Sequence, residues 1–92
     1  MIIDMNKLLN VGYGNVVNTD KIVAVISSDS APARRMIQSS KDQGRAIDGT
    51  QGRKTKSVII TDGGMVVLSA LSTDAISARF REDLEKGEYY EE

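Results

Sequence analysis

The chain of 92 residues contains no cysteine, no histidine and no tryptophan, and it has a single phenylalanine and a single proline. Without cysteine it forms no disulfide and offers no thiolate, which fits a reducing cytoplasm. Because histidine is missing as well, ordinary zinc sites and Ser-His or Cys-His catalysis are excluded. The shortage of aromatic residues also limits the hydrophobic core that one copy of so short a chain can build.

Segments typical of membrane or exported proteins are missing too. No apolar run approaches the about 18 residues that a membrane-spanning helix needs. The first residues, Met1–Asp4, lack the charged and apolar regions of a signal peptide. We therefore expect a cytoplasmic protein with no membrane partner. No acid–base constellation is visible either, so the sequence predicts neither an enzyme nor a cofactor or metal site.

The net charge of −1 conceals an uneven distribution of acidic and basic residues along the chain. Acidic residues dominate positions 73–92, and we expect a domain over residues 1–87 followed by a frayed acidic tail, Glu88–Glu92. Basic residues dominate positions 34–56, and such clusters attract polyanions. The cations of this basic region are Arg34, Arg35, Lys41, Arg45, Arg53, Lys54 and Lys56.

Apolar runs separated by glycine-rich turns predict an α+β fold, with a small, mainly antiparallel sheet and two helices. Turns are predicted at Gly12–Asn15 and at Asp62–Gly64, and the second has the composition of a hairpin connection. The predicted strands are Asn6–Val11, Asn15–Val17, Lys21–Ser27, Ala46–Ile47, Ser57–Thr61 and Met65–Ala70.

Two helices are marked by their start and stop residues. Asp29 or Ser30 caps the first helix, which carries Pro32 in its first turn and stops near Gln43 and Gly44. The second helix is predicted over residues 74–86, after a cap at Thr73 and before a stop at Gly87. Its predicted inward side chains are Ala75, Ile76, Phe80 and Leu84.

Three of the strands are apolar on both sides, namely Ile22–Ile26, Val58–Ile60 and Val66–Leu68. Such strands are normally buried on both faces of the sheet. Two short helices with narrow apolar faces can cover one of these faces, so we expect a second copy of the chain to cover the other. The pattern thus favours a homo-oligomer larger than a dimer, and the alternative is a monomer with a locally thick core.

The strongest functional signal is the group of cations that precedes the strand at Ser57. Arg53, Lys54 and Lys56 follow Gly52, and residues 49–61 contain no acidic side chain. One explanation is an edge strand protected against aggregation, although a single lysine suffices for that. The other is a polyanion partner. Because aromatic residues for base stacking are scarce, the backbone of duplex DNA is favoured over RNA or single strands.

Arg34 and Arg35 form a second basic pair, in the first turn of the predicted helix. The helix dipole disfavours cations at this position. The pair is explained either by a solvated face or an ion pair with Asp29 or Asp42, or by contact with the same polyanion. The sequence leaves these alternatives open.

Three segments together resemble the RemA family of small bacterial extracellular-matrix regulators. The resemblance extends from about Lys7 to Ala70 and combines N-x-G-[FY]-G-N, S-A-P-x-[KR]-R-[MI]-I and I-D-x-T-x-G-R-[RK]-T in that order. Each motif alone is weak, and their combination is specific. The matching segments read KLLNVGYGNVVNTDKIVAVIS, SAPARRMIQSSKDQGRAIDGTQGRKT and VIITDGGMVVLSA.

The resemblance implies a DNA-binding transcriptional regulator that activates biofilm matrix genes and is associated with the nucleoid. It also implies a ring-shaped homo-oligomer that contacts duplex DNA along its rim. The basic positions of the family fall on Lys21, Arg53 and Lys54, and lysine replaces the usual arginine at the first and last of them. Phosphate contacts tolerate that change, whereas bidentate reading of guanine does not. The alternative function is a structural ring whose basic rim binds an acidic protein.

Overall fold

The structure is a computed structural model that describes residues 8–87, with side chains described as far as Glu82. The sequence predictions for residues 1–7, for the acidic tail Glu88–Glu92 and for the side chain of Leu84 lie outside this part of the chain. The elements are β1 (Leu8–Gly12), β2 (Asn15–Asn18), β3 (Ile22–Ser27), α1 (Ala31–Asp42), β4 (Ala46–Asp48), β5 (Ser57–Thr61), β6 (Val66–Ser69) and α2 (Thr73–Gly87).

The strands form a hairpin, β1–β2, and a four-stranded sheet in the order β3-β5-β6-β4. All pairs are antiparallel except β4 and β6, which are parallel. The predicted α+β class, the two helices and the mainly antiparallel pairing are confirmed. The strands divide into two sheets instead of one, and β4 is parallel because α1 returns the chain across the sheet before β4 begins.

Both faces of the four-stranded sheet pack against other elements of the same chain. Val58, Val66 and Leu68 pack on one face against Met36 and Ile37 of α1. On the other face, a second cluster joins the sheet to the hairpin and to α2; it comprises Leu9, Val11, Ile59, Val67 and Ile76. The hairpin and α2 thus cover the centre of the face that was expected to need a second copy, while Val23 and Ile47 on the two edge strands stay exposed. Two-sided apolar strands are explained by alternate residues that point into two separate cores.

The predicted helix boundaries hold to within a residue or two. Ser30 caps α1, since its Oγ accepts a hydrogen bond of 3.1 Å from the backbone N of Ala33. Gly44 has a φ of +71°, which suits the stop that was predicted there. At the second helix the cap is Ser72 and not Thr73, because the Oγ of Ser72 accepts from the backbone N of Ala75.

One predicted core side chain of α2 is exposed. Ile76 is buried, but Phe80 is 40% exposed, which corrects its assignment to the core. It lies at an apolar groove of about 470 Å³ that is also lined by Leu9, Ile22 and Val25. Across residues 8–87, neither helix has the length and apolar character needed to cross a membrane.

Candidate nucleic-acid interface

Four segments that are distant in sequence meet where β5 begins. Ser57 pairs with Ser27 at the close of β3 and with Ser69 at the close of β6. The loop before β5 therefore lies beside the starts of both helices. The turn between β1 and β2 joins them, because the Oγ of Ser69 donates a bond of 2.8 Å to the backbone O of Val11. We call this region, formed by residues 12–15, 28–35, 49–56 and 72–74, the basic end.

Arg53 and Lys54 follow a tight turn that is held by a carboxylate. The backbone N of Arg53 donates to the O of Thr50 at 3.0 Å, across Gln51 and Gly52, whose φ angles are +55° and +79°. Thr50 is buried, and both its N and its Oγ1 donate to Oδ1 of Asp48, at 2.9 and 2.6 Å. The turn is thus fixed at its first residue.

The same two hydrogen bonds change the acidity of Asp48. The pKa of its carboxyl is lowered, first by the bond from the Thr50 hydroxyl and then by the bond from the Thr50 backbone. The charge of Lys41 lowers the pKa further, while desolvation opposes the shift. Asp48 is therefore an anion that holds the turn, and it gives the sequence motif I-D-x-T a structural explanation.

A single amide connects this turn to the β1–β2 hairpin. Nδ2 of Asn15 donates to the backbone O of Gly12 at 2.9 Å and to that of Gly49 at 3.2 Å. Gly49 has little room for a side chain, because a Cβ there would lie 3.1 Å from the backbone O of Leu68 and 3.0 Å from this Nδ2. The hairpin turn and the loop are consequently locked to each other.

The cations of the loop are exposed side chains on a backbone that other residues hold. The backbone O of Lys56 accepts from the N of Ser28 at 3.1 Å, and the O of Thr55 accepts from the Oγ of Ser28 at 2.7 Å. Arg53, Lys54 and Lys56 are all exposed. Because β5 is a central strand with neighbours on both sides, it has no free edge for these cations to protect, and the edge-strand explanation is wrong.

A polar cleft of about 240 Å³ runs between the loop and the starts of the two helices. Both helices direct their N-terminal ends toward it, where the partial positive charge of a helix favours anions. Asp29 is the acidic member of the lining. The cleft is lined by Ser27, Asp29, Lys54, Thr55, Lys56, Ser72 and Thr73.

Arg34 and Arg35 are the fourth and fifth residues of α1, whose N-terminal end borders this cleft, and both side chains are exposed. Nη2 of Arg34 donates to the backbone O of Asp29 at 3.0 Å. The basic end therefore brings together five of the six predicted DNA-binding residues. They are Arg34, Arg35, Arg53, Lys54 and Lys56.

The sixth predicted residue, Lys21, lies at the other end of the sheet. Its backbone O accepts from the N of Asp62 at 2.9 Å, and the adjacent Ile22 pairs with Thr61. The length of β3, roughly 20 Å at the usual rise of a strand, separates it from the basic end of the same chain. We call this region, formed by residues 19–21, 43–45 and 62–64, the opposite end.

Two residues of the basic end were not predicted as site residues from the sequence. Tyr13 is 48% exposed at the tip of the hairpin, and the guanidinium of Arg53 lies 5.7 Å from the centre of its ring. Asn15 is the link described above. The sequence signal for both residues is Gly12–Asn15, in which an aromatic residue lies between two glycines and asparagine follows. Among the described residues, no group of three or more histidine, cysteine, aspartate or glutamate side chains could hold a metal ion.

Comparison with known proteins identifies relatives along nearly the whole chain. Residues 8–80 match a family model described as RemA-like, "Extracellular matrix regulatory protein A-like". A protein of Lachnoclostridium phytofermentans is 47% identical over 89 residues, which cover 95% of this chain and 98% of that protein. One of Nitratidesulfovibrio vulgaris is 47% identical over 83 residues, with 90% and 96% covered. Both are named "Putative regulatory protein". The matched region contains every residue of the basic end.

Proposed function

This chain belongs to the RemA-like family of regulatory proteins, and from that premise we propose that it regulates transcription by binding duplex DNA at its basic end. The family description names extracellular matrix regulation, so matrix genes are the targets that we propose. The protein acts as a binding module, and no step of this function needs catalysis.

The observation that carries the proposal is the set of exposed cations on a fixed backbone. Arg53, Lys54 and Lys56 belong to a loop without a carboxylate, and the starts of two helices lie beside them. Phosphate oxygens are recognised by this combination of cations and helix N-termini. The planar fork of Arg53 suits two oxygens of one phosphate, while the lysines act as point charges.

Duplex DNA fits the basic end better than a single strand does. Proteins that bind single strands stack successive bases on several aromatic side chains. At the basic end Tyr13 is the described aromatic residue, and the guanidinium of Arg53 already lies over its ring. Phosphate contacts along a duplex therefore provide the affinity.

We propose further that the protein works as a homo-oligomer larger than a dimer, in the form of a ring. Apolar side chains that the sheet and helices leave exposed support this, namely Val16 at 55%, Val23 at 66% and Phe80 at 40%. The apolar groove beside Phe80 adds to this surface. One chain offers few phosphate contacts, and repetition by symmetry multiplies them on a continuous duplex.

A salt titration tests the proposal. The protein is mixed with a DNA duplex of mixed sequence and, separately, with polyglutamate as an acidic polypeptide. We expect duplex binding whose log affinity falls with log salt by about 0.9 for each phosphate contact, and weaker binding to polyglutamate. Absence of duplex binding at low salt would overturn the DNA-binding function, and preference for polyglutamate would support an acidic protein partner instead.

The assembly has its own measurement. Light scattering of the free protein at micromolar concentration should give a mass of more than two chains, and the mass should rise when duplex is added. A mass of one chain would overturn the proposed ring while leaving the DNA-binding proposal to the titration.

A further inference from the structure

Tyr13 occupies a backbone conformation that glycine would adopt more easily. Its φ is +55°, and its neighbours Gly12 and Gly14 also have positive φ values, +111° and +80°. A bulky residue rarely occupies this region, and strained conformations of this kind cluster at functional sites. The ring is also half-exposed and fills no core. Packing does not explain why a tyrosine is placed here.

The turn that carries Tyr13 is held from three directions. Oδ1 of Asn10 accepts from the backbone N of Gly12 at 2.8 Å and from Nη1 of Arg79 at 3.1 Å, which ties the turn to α2. Asn15 ties it to Gly49 of the basic loop. The tyrosine ring is therefore presented on a rigid platform, at a fixed place relative to Arg53.

From this geometry we infer that Tyr13 is a positioning residue of the DNA-binding site, whose ring holds the guanidinium of Arg53 for contact with phosphate. The inference deepens the proposed function and rests on it. At 5.7 Å from the ring centre, the guanidinium is within the distance of a cation–π contact. Stacking uses the flat face of the guanidinium, so its N–H edge stays available for a phosphate.

The platform lowers the cost of ordering a long side chain. An exposed arginine loses rotamer freedom when it binds a phosphate, and a contact made before binding removes part of that loss. The platform also explains why Arg53 and its neighbour Lys54 are different types of cation. Only a planar guanidinium stacks well on a ring, and the residue over Tyr13 is arginine, whereas the next position, Lys54, is lysine.

A double-mutant cycle on the full chain tests this role. Affinity for a mixed-sequence duplex is measured at low salt for Tyr13→Phe, Tyr13→Ala, Arg53→Ala and the double variant Tyr13→Ala/Arg53→Ala. We expect Tyr13→Phe to bind like the parent protein, since the ring is kept. Tyr13→Ala should bind about two- to fivefold more weakly for each protomer on the DNA, the size of an exposed cation–π contact. The double variant should equal Arg53→Ala, because Tyr13 acts through Arg53.

A second pair of measurements separates positioning from a structural role. Tyr13→Gly removes the backbone strain, so it should raise the melting temperature or leave it unchanged while still weakening binding. A merely structural tyrosine would lower both together. In NMR spectra of the free protein, the ring should shift the side-chain protons of Arg53 in the parent and in Tyr13→Phe, and the shift should vanish in Tyr13→Ala.

Three results would overturn the inference: Tyr13→Ala binds like the parent, Tyr13→Phe binds as weakly as Tyr13→Ala, or the losses of Tyr13→Ala and Arg53→Ala add. The last two would mean that the hydroxyl or the ring contacts the DNA itself. Failure of the parent protein to bind any duplex would instead overturn the proposed function. The NMR shift of Arg53 would then still decide whether the platform forms.

Discussion

The two ends of the four-stranded sheet both carry cations, but in different surroundings. At the opposite end, Lys21 follows Asp20 and lies against the backbone of Asp62, and Arg45 donates to Oε1 of Gln43. At the basic end, Arg53 and its neighbours extend from a loop without acids. An amide partner thus occupies Arg45, whereas Lys54 and Lys56 are exposed beside the starts of two helices.

The backbone differs between the two ends as well. At the opposite end the turn is held mainly by backbone groups: the N and Oγ1 of Thr61 donate to the O of Met65, and the N of Asp62 donates to the O of Lys21. At the basic end, Asp48 and Asn15 fix two turns that come from distant parts of the chain. The number of cations therefore does not define the candidate site. The candidate site is defined by exposed cations on a backbone that the side chains of Asp48 and Asn15 hold in place.

The largest expected effect comes from removal of the two adjacent cations of the basic end. The double variant Arg53→Ala/Lys54→Ala should lose measurable duplex binding at physiological salt, and its log–log salt slope should flatten by about 0.9 for each lost phosphate contact. Both side chains are exposed, so the free energy of unfolding should change by less than about 0.5 kcal/mol. A salt titration and a urea denaturation check the two statements.

The matched control removes two exposed cations from outside the basic end, as Arg45→Ala/Arg81→Ala. It lowers the net charge by the same amount, so it should reduce long-range attraction but keep most of the salt slope. Equal loss of binding in both double variants would contradict a specific role of the basic end, because overall charge would then explain the loss.

The next effect concerns the link between the two turns of the basic end. Asn15→Ala removes the donor to the backbone O of Gly12 and Gly49. We expect a loss of about 1–2 kcal/mol in the free energy of unfolding and a several-fold loss of affinity, since Tyr13 and Arg53 are no longer held together. Asn18→Ala is the control, on the same strand but toward the opposite end, where Oδ1 accepts from the N of Asp20. It should lower stability without changing affinity.

The basic loop, the β5–β6 hairpin and both helices could be predicted because their signals are local. Asp62–Gly64 marks a turn, Ser30 marks a cap, and the cations of residues 53–56 are adjacent in the sequence. The covering of the second sheet face could not be predicted in this way. It depends on contacts between distant residues, such as the Oγ of Ser69 with the backbone O of Val11, which no local pattern announces.

The position of Lys21 shows the same limit within the candidate site. Lys21 immediately precedes β3, and the first predicted residues of the basic end follow β3. Near neighbours along a chain are thus separated by the full length of an extended strand. The resemblance to a family supplied the residue, and only the strand register supplied its distance from Arg53.

A smaller effect should appear at acid pH. The lowered pKa of Asp48 means that its ionised form is favoured in the folded state, so its contribution is complete at neutral pH. The contribution is lost as the pH falls below the ordinary value of 3.8 and through the lowered pKa. In Asp48→Asn this titration is absent, and the stability gap to the parent, about 1 kcal/mol or less for an exposed carboxylate, should close on acidification.

Urea denaturation at neutral and at acid pH measures that gap. Thr50→Ala serves as a partner control, because it removes the hydroxyl that lowers the pKa most and should weaken the pH dependence in the same direction. A gap between parent and Asp48→Asn that stays constant down to the lowest pH would contradict this account of the turn.

The smallest expected effect on duplex affinity comes from Lys21, at the opposite end. Lys21→Ala should weaken duplex binding less than Arg53→Ala alone, since Lys21 lies roughly 20 Å along β3 from the basic end, well beyond a Debye length of about 8 Å at physiological salt. Lys21→Arg, which keeps the positive charge, should bind at least as well as the parent. Salt-titrated affinities of the three variants provide the ranking. If Lys21→Ala costs as much as Arg53→Ala, one duplex must contact both ends at once, and copies of the chain must be arranged so that the opposite end of one adjoins the basic end of the next.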